Sequence, residues 1–298
     1  MRVLVIGASG YLGGAIAQRL ERDGHEVVAL VRNAAKGQML KDAGFVLREG
    51  NLDDAARLTQ AAADADAVIN AADSDHAAGV ATLLAAVADT GKIFIHTSGI
   101  SVTADHAKGA GSGIVRDETV DYQPIPERAA RHAIDMKVRA AASDGGRPMV
   151  ICCPLVYGPP PWPGRESVQL PTLVADARKH GAARYIGTGE ARWTHSHVDD
   201  IAAAYALALT KGKAGALYYP ETAEQSWREL AGKIGDALGL PTRSITYEEG
   251  IAAWGPRALW TYCSNARTRG VRIRDELGWR PRIDAIEAEL KRLAAQAA

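Results

Sequence analysis

Cysteine is nearly absent. The 298-residue chain holds three, Cys152, Cys153 and Cys263, too few and too oddly numbered for a disulfide framework. No Cys-x-x-Cys and no Cys/His spacing marks a zinc site, so no metal is expected. A charge surplus is missing too, since 35 Lys and Arg stand against 35 Asp and Glu. Nucleic acid or an anionic membrane surface asks for a basic excess, so neither is expected as a partner. The stretch from 257 to 298 has nine Lys/Arg against five Asp/Glu, which reads as a solvated face. No run of about 18 apolar residues occurs, so no membrane-spanning helix is expected. Val3-Leu4-Val5-Ile6 is too short for a signal-peptide core and runs straight into Gly7. These absences leave a cytoplasmic protein as the expectation. What is plentiful is apolar: 47% of residues are hydrophobic and 23% charged, enough for a sizeable core and too apolar for wholesale disorder.

Short apolar runs alternate with helix-period segments over the first hundred residues. Residues 3–6, 26–31, 45–47, 67–70 and 93–96 read as strands. Residues 11–22 and 79–88 read as helices, the first stopped by Asp23-Gly24. Such alternation predicts a doubly wound parallel sheet with helices on both faces, an α/β fold. A helix over 126–142 and a sixth strand over 149–153 follow. Five prolines between Pro154 and Gly164 then interrupt regular structure. We place the boundary there: 1–158 as a dinucleotide-binding domain and 159–298 as a smaller, irregular substrate-binding part. Segments around 182–219 are expected to return to the main sheet. Helices are expected over 173–179, 198–209, 227–238 and 286–295, with strand-like pieces near 185–186, 217–219 and 245–247. No internal repeat is present.

Gly7-Ala8-Ser9-Gly10-Tyr11-Leu12-Gly13 sits between the first strand and the first helix. Glycine lets the chain turn sharply and lets a pyrophosphate approach the backbone. The helix N-terminus offers that anion free N–H groups. With a second strand ending about 25 residues on, the context is that of a dinucleotide site. An acidic residue at the end of that strand would hold a ribose 2′-hydroxyl. Here Val31 is followed by Arg32 and Asn33, and an arginine suits a 2′-phosphate. NADP is therefore expected as cofactor, ahead of NAD.

Further segments continue the pattern: Gly50-Asn51-Leu52, Ile69-Asn70-Ala71-Ala72, His96-Thr97-Ser98-Gly99, Cys153-Pro154-Leu155-Val156-Tyr157-Gly158-Pro159, His197-Val198-Asp199-Asp200 and Leu277-Gly278-Trp279-Arg280-Pro281. In this order the sequence resembles the short-chain dehydrogenase/reductase superfamily, and within it the extended or atypical branch of NAD-dependent epimerases and dehydratases. The resemblance implies a Rossmann cleft with substrate between the sheet and the C-terminal part. It places Asn51 and Leu52 beside the adenine, and Ala71 and Ala72 along the ribose and pyrophosphate. It places Pro154, Leu155 and Val156 against the nicotinamide, with Ser98 as a contact there. It also implies a homodimer built as a four-helix bundle, two helices from each copy.

The family's chemistry uses a Tyr acid/base, a Lys four residues later and a Ser/Thr. No Tyr-x-x-x-Lys exists in this chain, and Gly99 falls on the Ser/Thr slot. On the helix from Pro126, two registers are open. Lys137 takes the Lys place with Ala133 in the Tyr place, or His132 takes it with Arg128 in the Tyr place. The substitutes available are Ser98, Tyr122, if its loop folds inward, and His132, which titrates near neutrality. Cys152 and Cys153 point to opposite sides of a strand, burying at least one. His195 and His197 share one side of an extended segment without a committed carboxylate, while Asp199 and Asp200 read as helix caps. Trp162, Trp193, Trp254 and Trp260 wall a pocket or pack. The expected function is an NADP-dependent oxidoreductase or epimerase acting on a small carbonyl/alcohol substrate with a non-standard acid/base. A cofactor-binding regulator without turnover, or a structural subunit, stays open as the alternative.

Overall fold

A computed structural model describes residues 1–33 and 37–296. Elements alternate from the start: β1 (Arg2–Ile6), α1 (Tyr11–Arg22), β2 (Glu26–Val31), α2 (Gln38–Asp42), β3 (Val46–Glu49), α3 (Ala55–Ala63), β4 (Ala67–Asn70), α4 (Ala77–Val87) and β5 (Ile93–Gly99). A 3-10 turn, Ile100–Thr103, and the short β6 (Arg116–Asp117) lead to α5 (Pro126–Ala140), β7 (Arg147–Cys153) and β8 (Leu155–Tyr157). Then come α6 (Gln169–His180), β9 (Ala183–Ile186), β10 (Arg192–His197), α7 (Val198–Lys211), β11 (Leu217–Tyr218), β12 (Ala223–Ser226) and α8 (Trp227–Leu238). The last elements are β13 (Thr242–Ile245), α9 (Tyr247–Trp254), a π-helical turn Ala258–Tyr262, β14 (Thr268–Arg269), α10 (Val271–Leu277) and α11 (Ile286–Ala295).

The main sheet has seven strands in the order β11-β7-β5-β4-β1-β2-β3, every pair parallel. It is buried on both faces, which is why its inner strands read as apolar runs rather than alternating ones. Phe94, Val150 and Cys152 face a core with α3, α4 and α5. Ile95, Ile151 and Cys153 face the opposite core with α1 and α7. Both vicinal cysteines are therefore buried, on opposite sides, and all three cysteines are free. The C-terminal part carries a three-stranded sheet, β12-β10-β8, and a two-stranded pair, β13-β9, with α6, α8 and α11 packed together beside them. Among the described residues no helix is long and apolar enough to cross a membrane.

Two expectations need correction. The strand expected near 245–247 lies earlier: β13 ends at Ile245 and Tyr247 opens α9. The β-branched run misleads, while Thr246 and Glu249 form a reciprocal capping box that fixes the helix start. Asp199 and Asp200 do not cap α7. His197 does, its Nδ1 accepting the Asp199 N–H at 3.2 Å, and Asp200 instead accepts the N–H groups of Arg282 and Ile283. Three of the four tryptophans pack. Trp162 donates to Ala8 O at 2.8 Å beside α1, Trp193 lies against Trp227, and Trp254 against Tyr262.

Candidate active site

Gly7 turns with φ of +95°, and a Cβ there would lie 2.7 Å from Ala71 O at the end of β4. A Cβ on Gly13 would overlap Gly7 O. The turn after β1 therefore closes only with glycine at both positions. It lays bare backbone, with Ser9 exposed, before the start of α1. That helix opens on Gly10, which offers no side-chain cap, and its first turn carries no acidic residue. The first-turn N–H groups beyond Gly10, from Tyr11, Leu12 and Gly13, are thus without a side-chain partner at the positive end of the helix. The Tyr11 side chain turns away, its hydroxyl donating to Gly158 O at 3.0 Å. A cradle that any side chain would fill fits a dinucleotide pyrophosphate.

The other expected contacts line the same carboxyl edge of the sheet, where ligands of doubly wound folds collect. Arg32 is exposed just past β2. Asn51 Oδ1 accepts the N–H groups of Asp53 and Asp54, which turns the chain from β3 into α3. Leu52 packs toward Gly79 of α4. Ala71 is half-buried and Ala72 exposed, its N–H donated to Asn70 Oδ1. Past β7 the chain leaves the main sheet. Pro154 is buried, the Leu155 side chain turns into the core shared with α6 and α8, and Val156 packs with the α1 side. Of these three, Leu155 directs its side chain away from the cradle.

At the end of β5 the structure adopts neither register read from the sequence. Lys137 and Ala133 are exposed. His132 is turned to Tyr122, ring centroids 5.1 Å apart. The residue beside Gly99 is Arg131, whose Nη1 lies 3.4 Å from where a Cβ on Gly99 would stand. Its guanidinium is held by both carboxylate oxygens of Asp75, at 2.7 and 2.5 Å. Asp135, one turn further, is buried and accepts the Ser98 hydroxyl at 2.7 Å. Burial pushes its carboxyl up to about 7, against the lowering effect of the Ser98 bond and Arg131. His96 Nε2 stands 3.7 Å from Asp135 Oδ1, and burial holds this imidazole down to about 4, hence neutral.

Ser98 is thus committed to Asp135. The Tyr122 loop does fold inward, but into a recess bounded by α5, residues 118–122 and β11, lined by His132, Met136, Arg139 and Tyr219. Burial lifts the Tyr122 phenol well above its ordinary range and lowers His132. Asp135 lines that recess as well, whereas Gly99, Arg131 and Asp75 do not, so Tyr122 and His132 share Asp135 with the site but do not stand beside Gly99. Arg131, Asp135 and Asp75 were missed in the sequence. The first two form an i, i+4 pair on one helix face, a signal hidden by the search for Tyr and Lys. His195 and His197 flank the Tyr157 ring. Among the described residues no cluster of three or more His, Cys, Asp or Glu could hold a metal.

A family model described as the NAD dependent epimerase/dehydratase family matches residues 3–219. The chain is 29% identical over 304 residues to an uncharacterized protein of Schizosaccharomyces pombe, spanning 97% of this chain and 98% of that one. It is 29% identical over 264 residues to the 2-alkyl-3-oxoalkanoate reductase of Stenotrophomonas maltophilia, spanning 81% and 77%. Among solved structures, the UDP-glucose 4-epimerase of Thermotoga maritima superposes with a TM-score of 0.77 at 20% identity, covering 99% of this chain and 97% of its own. At that identity the likeness is one of fold.

Proposed function

The chain belongs to the NAD dependent epimerase/dehydratase family, and from that premise we propose that it is an NADP-dependent oxidoreductase or epimerase acting on a small carbonyl/alcohol substrate. The observation that carries the reading is the side-chain-free turn between β1 and α1, closed by Gly7 and Gly13 and opening on an uncapped helix end. The N–H groups of Ser9, Tyr11, Leu12 and Gly13 would hold the pyrophosphate, while the Gly10 N–H closes the turn on Gly7 O at 2.9 Å. Arg32, with no carboxylate at the end of β2, favours a 2′-phosphate and so NADP over NAD. Asn51 and Leu52 would flank the adenine, and Ala71 and Ala72 the ribose. Ser98, with Pro154, Val156 and the backbone at Leu155, would border the nicotinamide. A bound nicotinamide nucleotide supplies or accepts a hydride; the protein orients the substrate and excludes water. The relative that is a reductase of oxo acids supports a carbonyl substrate.

The test is a panel of aldehydes, ketones, oxo acids and nucleotide sugars incubated with NADPH or NADH while oxidation of the nucleotide is followed. Turnover of at least one carbonyl compound, faster with NADPH, is expected. Tight binding of NADPH with no turnover on the whole panel would instead favour a cofactor-binding regulator.

A further inference from the structure

The reading above leaves the proton without an owner, and the inference drawn next rests on it. Three side-chain pairs outside the cradle gather around the start of α5. His106 Nε2 lies 3.1 Å from Glu127 Oε2. The Arg128 guanidinium lies 4.3 Å over the Trp260 ring. Lys108 Nζ lies 5.0 Å over the Tyr247 ring. His106 and Lys108 come from the segment after β5, Glu127 and Arg128 from the first turn of α5, and Tyr247 and Trp260 from the C-terminal part.

That segment is fixed more firmly than a connection requires. The Asp105 carboxylate accepts both the backbone N–H and the side-chain amide of Asn265, each at 2.9 Å. Gly109 donates to Cys263 O and accepts from Ala191 N–H and the Thr188 hydroxyl. Between these anchors Lys108 is held at φ of +49°, a left-handed conformation that costs a non-glycine residue on the order of 1 kcal/mol and persists only where its surroundings impose it. What the anchored segment displays is the His106 ring, 44% exposed, against a Glu127 carboxylate 35% exposed.

Their place in the fold is specific. Glu127 stands one turn before Arg131 on α5, on the same face. Arg131 marks the end of β5 at Gly99, beside the carboxyl edge where the cradle opens. The His106–Glu127 pair is partly exposed, whereas Ser98 and Asp135 are buried.

We propose that His106 is the general acid/base of the hydride exchange and that Glu127 is its positioning residue. Glu127 accepts the Nε2–H, which fixes the ring and leaves Nδ1 for the substrate. In reduction, the carbonyl carbon takes a hydride from a reduced nicotinamide nucleotide and the C=O π pair moves onto oxygen. That oxygen takes the Nδ1 proton of the imidazolium. The products are the alcohol, the oxidised nucleotide and a neutral imidazole still donating from Nε2. Oxidation runs the same steps in reverse, with Nδ1 as base. Glu127 faces His106 directly; Arg128 of α5 and Tyr247 of α9 act on Glu127, Lys108 of the His106 segment lies over the Tyr247 ring, and Asp105 adjoins His106 in sequence. Asp105 is engaged by Asn265, which leaves Glu127 as the carboxylate that holds the ring.

Both residues are partly exposed, so His106→Ala and Glu127→Gln are expected to fold and to bind NADPH as the wild type does, checked by thermal shift and calorimetry. For a carbonyl substrate found in the panel, His106→Ala is expected to lower kcat by 10²- to 10⁴-fold, with partial rescue by added imidazole. Glu127→Gln should lower it about tenfold. The wild-type fall in kcat/KM for reduction at rising pH should vanish in His106→Ala. A second readout is independent of turnover: the ring resonances of His106 should shift when a ketone is added to the protein with NADP⁺, and stay in place with NADP⁺ alone. A His106→Ala enzyme within twofold of wild type, or a reduced rate without rescue and with the same pH profile, overturns this assignment alone. A wild-type protein that binds NADPH but reduces nothing overturns the oxidoreductase reading and the assignment with it.

Discussion

Asp135 holds its proton up to about pH 7 because burial disfavours the carboxylate more than the Ser98 hydroxyl and the nearby Arg131 favour it. A folded-state value near 7 against 3.8 in the open chain means that the native state holds an extra proton between about pH 4 and 7. Native stability is therefore lost as pH rises through that window and stays lower above it. The ceiling on the effect is roughly 4 kcal/mol, and any relaxation around the unpartnered Oδ1 reduces it. Asp135→Asn keeps the shape and removes the titration. Its Tm relative to wild type should rise from pH 5 to about pH 7 and level off by pH 8. A constant difference across that range contradicts a protonated Asp135. His96, held neutral, acts with the opposite slope in both proteins. None of this was legible from the sequence, because Ser98 and Asp135 are 37 residues apart and only folding makes the pair. The same holds for His106 and Glu127, 21 residues apart.

Elements were legible where one physical cause dominates. Strands β1, β2, β4, β5 and β7 read clearly because a parallel sheet covered on both faces needs apolar runs. Helix α1 read clearly because a glycine turn precedes it and Asp23-Gly24 ends it. The short α2, the Ala-rich α3 and the seven-residue α10 went unread, since tertiary packing rather than pattern holds them. The strap from 104 to 122 was equally silent, and one buried carboxylate ties it down. Glu118 accepts the N–H groups of Tyr219, Val271 and Arg272 at 3.0, 2.8 and 3.3 Å, joining β6, the end of β11 and α10. Glu118→Ala strands one buried and two part-buried donors and should cost roughly 2–3 kcal/mol. Hydrogen exchange should then accelerate in residues 104–122 and 268–277 together. Acceleration confined to one of the two segments would show that Glu118 does not couple them.

For the molecule as a whole, the seven-stranded sheet, the glycine turn and the family assignment converge on one edge. The carboxyl ends of β1, β2, β4 and β5 bring Gly7, Arg32, Ala71 and Gly99 to the same side of the sheet. The α/β class and the cradle were legible because both follow from local signals, a period and a glycine spacing. The acid/base was not, because no Tyr-x-x-x-Lys occurs in the sequence to mark it, and only geometry shows that Arg131 and not His132 stands beside Gly99. The central claim is that the edge holds a pyridine dinucleotide and that Arg32 selects the phosphorylated one. Calorimetric titration of NADPH and NADH into the wild type and into Arg32→Ala tests it directly. The account predicts that the wild type binds NADPH at least tenfold more tightly than NADH and that Arg32→Ala removes the difference while keeping NADH affinity. Binding of neither nucleotide, or an undiminished NADPH preference in Arg32→Ala, would contradict it.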